Sequence, residues 1–201
     1  MTWVKVCGLT RREDVEAAVE AGADAVGFVL APGTPRRVDV EQARRLGRDL
    51  PVVRVVVTVD LPPDEVLLQV KEAGAEGVQL HGRHASEAAA AAVGAGYLVL
   101  RPVRVRDRVD LSEIPEGQIP LLDAYRRGLH GGTGQRFDWG LIDPGLERRY
   151  VLAGGLGPDS VRAAVARLRP WGVDATSRLE VSPGVKDPAK VAAFVREAKQ
   201  A

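Results

Sequence analysis

Eight short apolar segments recur along the chain at nearly even spacing, and most are separated by stretches with helical periodicity. The segments are brief and rich in Val and Leu, which is typical of strands buried on both faces of a parallel sheet. They are WVKVC, AVGFVL, VVRVVVTV, GVQL, YLVLRPV, IPLLD, YVLAGG and GVDAT. The intervening stretches place apolar residues at i, i+3, i+4 and i+7, for example Val161, Ala164, Val165 and Leu168. This alternation predicts eight β-strands, each followed by a helix or a short substitute.

The predicted fold class is α/β, a closed (β/α)8 TIM barrel. Eight βα units in 201 residues match the smallest barrels of this kind. An open doubly wound sheet is the alternative, but eight evenly spaced units without a linker favour closure. The fifth unit is the weakest, because RVRDRVDLSEIPEG offers little helix. We therefore predict a single barrel domain over residues 1–201.

Helix starts carry their own signals in the sequence. Thr10 is followed three residues later by Glu13, which is the pattern of a capping box and predicts that Thr10 caps the first helix. Asp64, Asp138 and Asp159 stand near the predicted starts of later helices.

Charge and cysteine content exclude several classes of protein. The 28 basic and 27 acidic side chains give a net charge of +1, which is not the electrostatic footprint of a protein that binds nucleic acid or a membrane surface. A single cysteine cannot form an internal disulfide or a cysteine-cluster zinc site. No segment approaches the ~18 apolar residues that span a bilayer, and the first residues lack the pattern of a signal peptide. We expect a cytoplasmic protein.

The barrel topology directs attention to one rim. Active sites of TIM barrels lie at the carboxyl ends of the strands. Cys7 ends the first predicted strand, Asp123 the sixth, Gly154 and Gly155 the seventh, and residues 174–177 the eighth. Taken alone, Cys7 could equally be a buried apolar filler, since free cysteine is among the most buried residue types.

Six motifs together resemble the phosphoribosylanthranilate isomerase family. They are KVCGLT, ADAVGFVLAPGTPRRV, GVQLHG, LLDA…GGTGQRFDW, VLAGGLGPDSV and SPGVKD, and they cover the whole chain in order. The resemblance implies a (β/α)8 barrel in tryptophan biosynthesis. It also implies an Amadori rearrangement of N-(5-phosphoribosyl)anthranilate to 1-(2-carboxyphenylamino)-1-deoxyribulose 5-phosphate, without a metal or organic cofactor.

The resemblance also implies the catalytic pair, Cys7 as general base and Asp123 as general acid. An acid must protonate the ring oxygen to open the ribose, and a base must then remove the proton from C2. A positioned acid or base contributes about 10²–10⁴-fold to such a reaction. A free thiol ionises near pH ~8.5, and positive charge nearby favours the thiolate. Asp123 must hold its proton, which a dry mouth or neighbouring anions would favour.

By resemblance, Arg36 holds the anthranilate carboxylate, a task that suits a guanidinium fork. Arg37 could reach the ligand in its place, and Arg101 is expected to line the barrel mouth as well. Backbone N–H groups are expected to bind the phosphate. The expected substrate-binding set is completed by Gly131, Gly132, Thr133, Gly134, Gly154, Gly155, Asp174, Thr176 and Ser177.

One position departs from the family pattern. Where the family usually has a glycine after the eighth strand, this chain has Arg178 in DATSRLE. Glycine can adopt a positive φ that arginine avoids, so the arginine either shifts the loop or adds a contact to the phosphate.

Lys5 is expected on the same face as Cys7, because strand side chains alternate. A buried ammonium needs a partner, and Asp174 on the neighbouring eighth strand is the candidate. Lys5 then either biases Cys7 toward the thiolate or serves only as a structural ion pair. Gln79 and His81 end the fourth strand, where they could touch substrate indirectly. His81 and His84 lack a clear third ligand, so no metal site is assigned.

Two other functions stay open at this point. One is another sugar-phosphate isomerase or epimerase on the same barrel, and the other is a non-catalytic binder of phosphate sugars. The expected partner is a small-molecule phosphoribosyl-anthranilate substrate. A homodimer is an open alternative to a monomer.

Overall fold

The computed structural model describes residues 1–105, 109, 111–124, 139–143 and 145–201. Eight parallel strands, β1 to β8, form a closed barrel in chain order, which confirms the predicted TIM barrel. The strands are β1 (Trp3–Cys7), β2 (Ala25–Val29), β3 (Val53–Val59), β4 (Gly77–His81), β5 (Leu98–Val105), β6 (Gln118–Ala124), β7 (Val151–Leu152) and β8 (Gly172–Ala175). The helices are α1 (Arg12–Glu20), α2 (Val40–Leu46), α3 (Pro63–Ala73), α4 (Ala85–Gly94), α5 (Val161–Leu168) and α6 (Pro188–Lys199).

Two apolar layers hold the barrel together. A small cluster that includes Ala25, Leu100 and Leu121 fills the inside, and a larger one lies between the strands and the surrounding helices. The apolar face predicted for α5 is buried in the larger cluster, and so is the apolar face of α6. Burial of such faces contributes about 25 cal/mol per Å² of apolar surface, which is the main force that docks each helix on the barrel.

Polar side chains fix several helix starts. Asp39 caps α2 by accepting from the Gln42 N–H at 2.7 Å, and the Gln42 side chain accepts from the Asp39 N–H in return. Asp187 caps α6 by accepting from the N–H groups of Ala189 and Lys190. Caps of this kind typically contribute about 1 kcal/mol each.

The capping box predicted for α1 is wrong. The residue that caps α1 is Arg11, and no side chain bonds to the first turn there. The Thr10 hydroxyl instead donates to the carbonyl oxygen of Gly184 at 2.6 Å. The local pattern predicts that the Thr10 hydroxyl bonds to the start of α1, but in the fold it bonds to Gly184, which is distant in the sequence.

A small antiparallel hairpin follows the barrel and was not predicted. Its strands are β9 (Glu180–Ser182) and β10 (Val185–Lys186), and Gly184 in the turn has φ of +86°. A 3-10 turn, Ser177–Leu179, connects β8 to this hairpin. The hairpin brings Glu180 and Lys186 back toward the barrel mouth.

The fifth βα unit has little helix in its described residues, as its sequence predicted. In the described residues between β5 and β6, which are 109 and 111–117, the chain forms turns and no helix. Another 3-10 turn, Trp139–Leu141, precedes β7. Among the described helices, none has the length and apolar character needed to cross a bilayer.

Candidate active site

A cavity of about 550 Å³ opens at the carboxyl ends of the barrel strands. Its lining brings together most of the residues singled out in the sequence. These are Cys7, Arg36, Asp123, Gly154, Gly155, Asp174, Thr176, Ser177 and Arg178. The predicted phosphate-binding residues Gly131, Gly132, Thr133 and Gly134 lie outside the described residues, as does Asp138.

Cys7 lies at the end of β1 with 5% of its surface exposed. Its sulfur needs a neighbour without a side chain, because a Cβ on Gly27 of β2 would come within 2.6 Å of the Cys7 Sγ. The next residue, Gly8, has φ of +74° and turns the chain away from the strand. The cysteine is therefore held at the cavity wall by the close approach of the β2 backbone at Gly27.

Lys5 is fully buried below Cys7, and its predicted partner is confirmed. Its Nζ donates to Asp174 Oδ1 at 2.9 Å and to Gln79 Oε1 at 3.0 Å. Burial by itself lowers the pKa of Lys5, but the charges of Asp174 and Cys7 and their hydrogen bonds with the ammonium raise it above its ordinary value. The Lys5 ammonium is therefore paired with an acid on the same strand face as the thiol.

Replacing Lys5 by methionine tests whether this cation stabilises the Cys7 thiolate. We expect alkylation of Cys7 by iodoacetamide at neutral pH to slow by roughly tenfold, since one pKa unit of thiol ionisation is a factor of ten in thiolate. Cys7 is the only cysteine, so mass spectrometry of the whole chain reports on it alone.

Loss of Lys5 leaves the Asp174 carboxylate buried without its partner, which costs about 3–5 kcal/mol in comparable cases. The double variant Lys5→Met/Asp174→Asn removes both charges and keeps the test applicable if the single variant unfolds. Lys71→Met, at an exposed site on α3, is the matched control. An unchanged alkylation rate in a folded variant would leave Lys5 with a structural role only.

Asp123 lines the cavity from the end of β6, across the mouth from β1. The strand register pairs it with Arg104 of β5, which also lines the cavity. Arg101 was predicted to line the mouth, and this is wrong. Its Nη2 donates to the Ser86 hydroxyl on α4, because alternation along β5 turns Arg101 outward and Arg104 inward.

Arg36 enters the cavity from the loop between β2 and α2, while Arg37 is exposed. The Arg36 guanidinium forms two hydrogen bonds with the carboxylate of Glu180, from Nε at 2.8 Å and from Nη2 at 2.7 Å. These hydrogen bonds are the largest influence on the pKa of Arg36 and raise it, although burial lowers it. Of Arg36 and Arg37, Arg36 is thus the one that faces the site, and it is already held by an acid.

Glu180 and Lys186 were missed as site residues. Both belong to the unpredicted hairpin, and their side chains are 4% and 0% exposed. Burial raises the pKa of Glu180, but hydrogen bonds from Arg36 and the charge of Lys186 bring it below its ordinary value. The SPG turn between the two short strands is the signal that could have located the hairpin, but nothing local indicates its partners.

Gln79 links Lys5 of β1 to His81 at the end of β4. Its amide oxygen accepts from Lys5, so its amide nitrogen is the group that lies 2.9 Å from His81 Nε2. Because an amide nitrogen only donates, His81 Nε2 is the acceptor of this hydrogen bond. Within the described part of the chain, no three His, Cys, Asp or Glu side chains gather in a way that could hold a metal ion.

The loops after β7 and β8 provide open backbone at the cavity. Gly154 and Gly155 have φ of +82° and +70°, in the left-handed region that favours glycine. Arg178 lies in the 3-10 turn, and it is not among the residues with positive φ. The arginine therefore fits this loop without the backbone strain that replacement of a glycine could have caused.

Arg178 also connects the two loops. Its Nη2 donates to Asp159 Oδ2 at 2.9 Å, with 42% of the arginine side chain and 52% of the aspartate side chain exposed. A phosphate bound between these loops would compete with Asp159 for the guanidinium. We therefore expect Arg178 to contribute to binding of an anionic ligand.

We expect Arg178→Gly to raise KM for a phosphorylated substrate by roughly fivefold with little change in kcat, a loss of about 1 kcal/mol as for an exposed ion pair. Steady-state kinetics measure this directly. Asp159→Asn is the control that separates two roles, because it frees Arg178 without removing it. If Asp159→Asn raises KM as much as Arg178→Gly does, the arginine ties the loops together and does not bind phosphate.

Comparison with known proteins identifies close relatives of the chain. The sequence model of a family described as N-(5′-phosphoribosyl)anthranilate (PRA) isomerase matches residues 4–197. The N-(5′-phosphoribosyl)anthranilate isomerase of Rubrobacter xylanophilus is 48% identical over 206 residues, with 99% of this chain and 100% of that protein covered.

Solved structures agree with the sequence match. Monomers of the dimeric phosphoribosylanthranilate isomerase of Thermotoga maritima superimpose with a TM-score of 0.87 at 36% identity, with 100% of both chains covered. A phosphoribosylanthranilate isomerase in complex with reduced 1-(o-carboxyphenylamino)-1-deoxyribulose 5-phosphate gives a TM-score of 0.83 at 34% identity, again with 100% of both chains covered.

Proposed function

The chain belongs to the N-(5′-phosphoribosyl)anthranilate isomerase family, and from this premise we propose that Cys7 and Asp123 carry the rearrangement at the mouth of its barrel. The family activity is an isomerisation in tryptophan biosynthesis. The observation that carries the residue assignment is that the thiol and the carboxyl group line one cavity of about 550 Å³, from the ends of β1 and β6, which lie three strands apart around the barrel.

Asp123 acts first, as the general acid. It gives its proton to the ribose ring oxygen while the bond from that oxygen to C1 breaks, which leaves an iminium between C1 and the anthranilate nitrogen. The positive charge of the iminium acidifies the hydrogen at C2. The ring-opened intermediate is then ready for proton abstraction.

Cys7 acts next, as the general base. Its thiolate takes the proton from C2, the freed electron pair forms the C1–C2 double bond, and the iminium nitrogen becomes neutral. The resulting enolamine gains a proton at C1 and loses the proton of its C2 hydroxyl group, which gives the ketone. A proton must return from Cys7 to Asp123 before the next turnover, so the two groups exchange protonation states once per cycle.

The rest of the cavity suits the two anionic ends of the substrate. Arg36 is proposed to bind the anthranilate carboxylate, because among the arginines that line the cavity it is the one packed against Gly8, the residue after Cys7. Gly154, Gly155, Thr176 and Ser177 are proposed to bind the phosphate, since open backbone at the last two βα loops is the usual phosphate site of TIM barrels.

Asp174 lines the cavity and is proposed to contribute to substrate binding by holding the ammonium group of Lys5 in place. Gly131 to Gly134 are proposed as further phosphate ligands on the strength of the family motif alone.

We extend the proposal to a homodimer, supported by the dimeric Thermotoga maritima relative. Light scattering of the purified chain tests the assembly.

The activity is tested by incubating the chain with phosphoribosylanthranilate and measuring the decrease in the fluorescence of this substrate. We expect the wild-type chain to convert the substrate to the ketose without added metal or cofactor. A chain that binds the substrate without converting it would be a phosphate-sugar binder instead, and absence of both binding and turnover would overturn the assignment to this substrate.

A further inference from the structure

Glu180 occupies one defined edge of the Arg36 guanidinium. Its two carboxylate oxygens accept from Nε at 2.8 Å and from Nη2 at 2.7 Å, so the side edge of the fork is fully used. Arginine has five N–H donors, and two are spent on this contact. Of the three remaining donors, one hydrogen on Nη1 and one on Nη2 form the end of the guanidinium, and the second hydrogen on Nη1 points back toward Cδ.

The rest of the Arg36 side chain is equally restricted. Its Cδ lies against the backbone of Gly8, where an added Cβ would come within 2.8 Å. The arginine is therefore held between Gly8, next to Cys7, and Glu180 on the hairpin. Neither rotation of the stem nor rotation of the guanidinium is free, so the end edge has a set direction.

Lys186 holds Glu180 in place from the other side. Its Nζ donates to Glu180 Oε1 and to the carbonyl oxygen of Thr176, both at 3.1 Å. The Lys186 side chain is fully buried, and its backbone N–H donates to Asp14. Two cations and one carboxylate leave this buried group with one net positive charge for an anion in the cavity.

The hairpin is braced against the loop that carries Arg36. A Cβ on Gly184 would come within 2.9 Å of the carbonyl oxygen of Pro35, the residue before Arg36, and Thr10 donates to Gly184. The hairpin thus contacts the loop at its backbone and the arginine at its side chain. Such double support is what a binding group needs for a fixed geometry.

We propose that Glu180 is a positioning residue, which turns the end edge of Arg36 toward the cavity so that a carboxylate of the substrate binds end-on to Nη1 and Nη2. The inference rests on the proposed role of Arg36. In this arrangement the substrate carboxylate cannot use the side edge formed by Nε and Nη2, because Glu180 already occupies that edge. This role of Glu180 also explains why a buried acid, which opposes binding of an anion, stands beside the arginine.

Kinetics of Glu180→Gln provide the first half of the test. Glutamine keeps the shape but offers only one acceptor oxygen, so one of the two bonds to Arg36 is lost. We expect KM for phosphoribosylanthranilate to rise by about tenfold, the usual scale for a misaligned hydrogen bond to a charged group, with kcat within about threefold of wild type. Glu72→Gln, at an exposed site on α3, is the matched control and is expected to keep the wild-type KM.

The second half separates positioning from charge balance. Glu180→Gln leaves two buried cations together, whereas Glu180→Gln/Lys186→Met restores the original net charge. We expect the double variant to recover the thermal midpoint that the single variant loses, while its KM stays about tenfold above that of Lys186→Met alone, on the same hydrogen-bond scale. A KM equal to that of Lys186→Met would show that Glu180 only balances charge and would overturn the proposal.

Failure of this inference is distinguishable from failure of the catalytic assignment. If Cys7 and Asp123 have other roles, their variants keep turnover while the effect of Glu180 on KM persists. If Glu180 does not position Arg36, its variants keep the wild-type KM while the Cys7 and Asp123 variants still lose kcat.

Discussion

Cys7→Ser is expected to lower kcat by about 10²–10⁴-fold, the usual contribution of a general base. A serine hydroxyl holds its proton far more tightly than a thiol, so it cannot accept the C2 proton at neutral pH. The substitution is nearly isosteric, and the site has room for the smaller oxygen beside Gly27. We therefore expect the loss in kcat, with KM and the thermal midpoint close to those of wild type.

Cys7→Ala serves as the comparison, because alanine lacks any group that could accept a proton. The two variants are expected to be equally impaired. Steady-state fluorescence assays at substrate saturation measure both. If the serine variant kept more than a tenth of wild-type kcat, Cys7 could not be the base.

Asp123→Asn is the second large effect, again about 10²–10⁴-fold in kcat, because the amide cannot give a proton to the ring oxygen. The expected loss is in kcat and not in KM, since ring opening is a step of the reaction and not of binding. The matched control is Asp60→Asn, which changes another acid that lines the same cavity from the end of β3. We expect less than about a threefold change in kcat for the control, the size of a weak surface interaction.

The pH dependence of the two variants adds an independent check. The wild-type profile of kcat should be bell-shaped, with an acidic limb from the base and an alkaline limb from the acid. Asp123→Asn should remove the alkaline limb and leave the acidic one. Residual activity with both limbs intact would mean that another group protonates the ring oxygen.

Much of the fold followed from local pattern. All eight strands of the barrel lie where the apolar segments predicted them. Strands of a parallel sheet are buried on both faces, so their sequences are nearly continuous apolar runs that are easy to recognise. Alternation within β1 placed Lys5 under Cys7, and the adjacency of the first and last strands in a closed barrel placed Asp174 beside it, at 2.9 Å in the structure. Here the chain topology by itself implied a contact across 169 positions.

Other contacts had no local signal. Thr10 looks like a helix cap but bonds to Gly184, and Arg101 ends up outside the barrel while Arg104 lines the cavity. Packing of a distant segment decided the role of Thr10, since Gly184 is far away in the sequence. For the two arginines, alternation along β5 decides once the face of one strand residue is known.

The sequence alone determined the barrel and the rim that carries the chemistry, since strand order and side-chain alternation set these once the strands are recognised. The candidate acid and base came from the resemblance of its motifs to a known family. The tertiary structure decided the orientation of the Arg36 guanidinium. Its partner Glu180 lies 144 positions away, on a hairpin that the hydrophobic pattern of the sequence did not predict. A buried ion pair depends on the meeting of two side chains, and that meeting is a property of the folded chain and not of either segment.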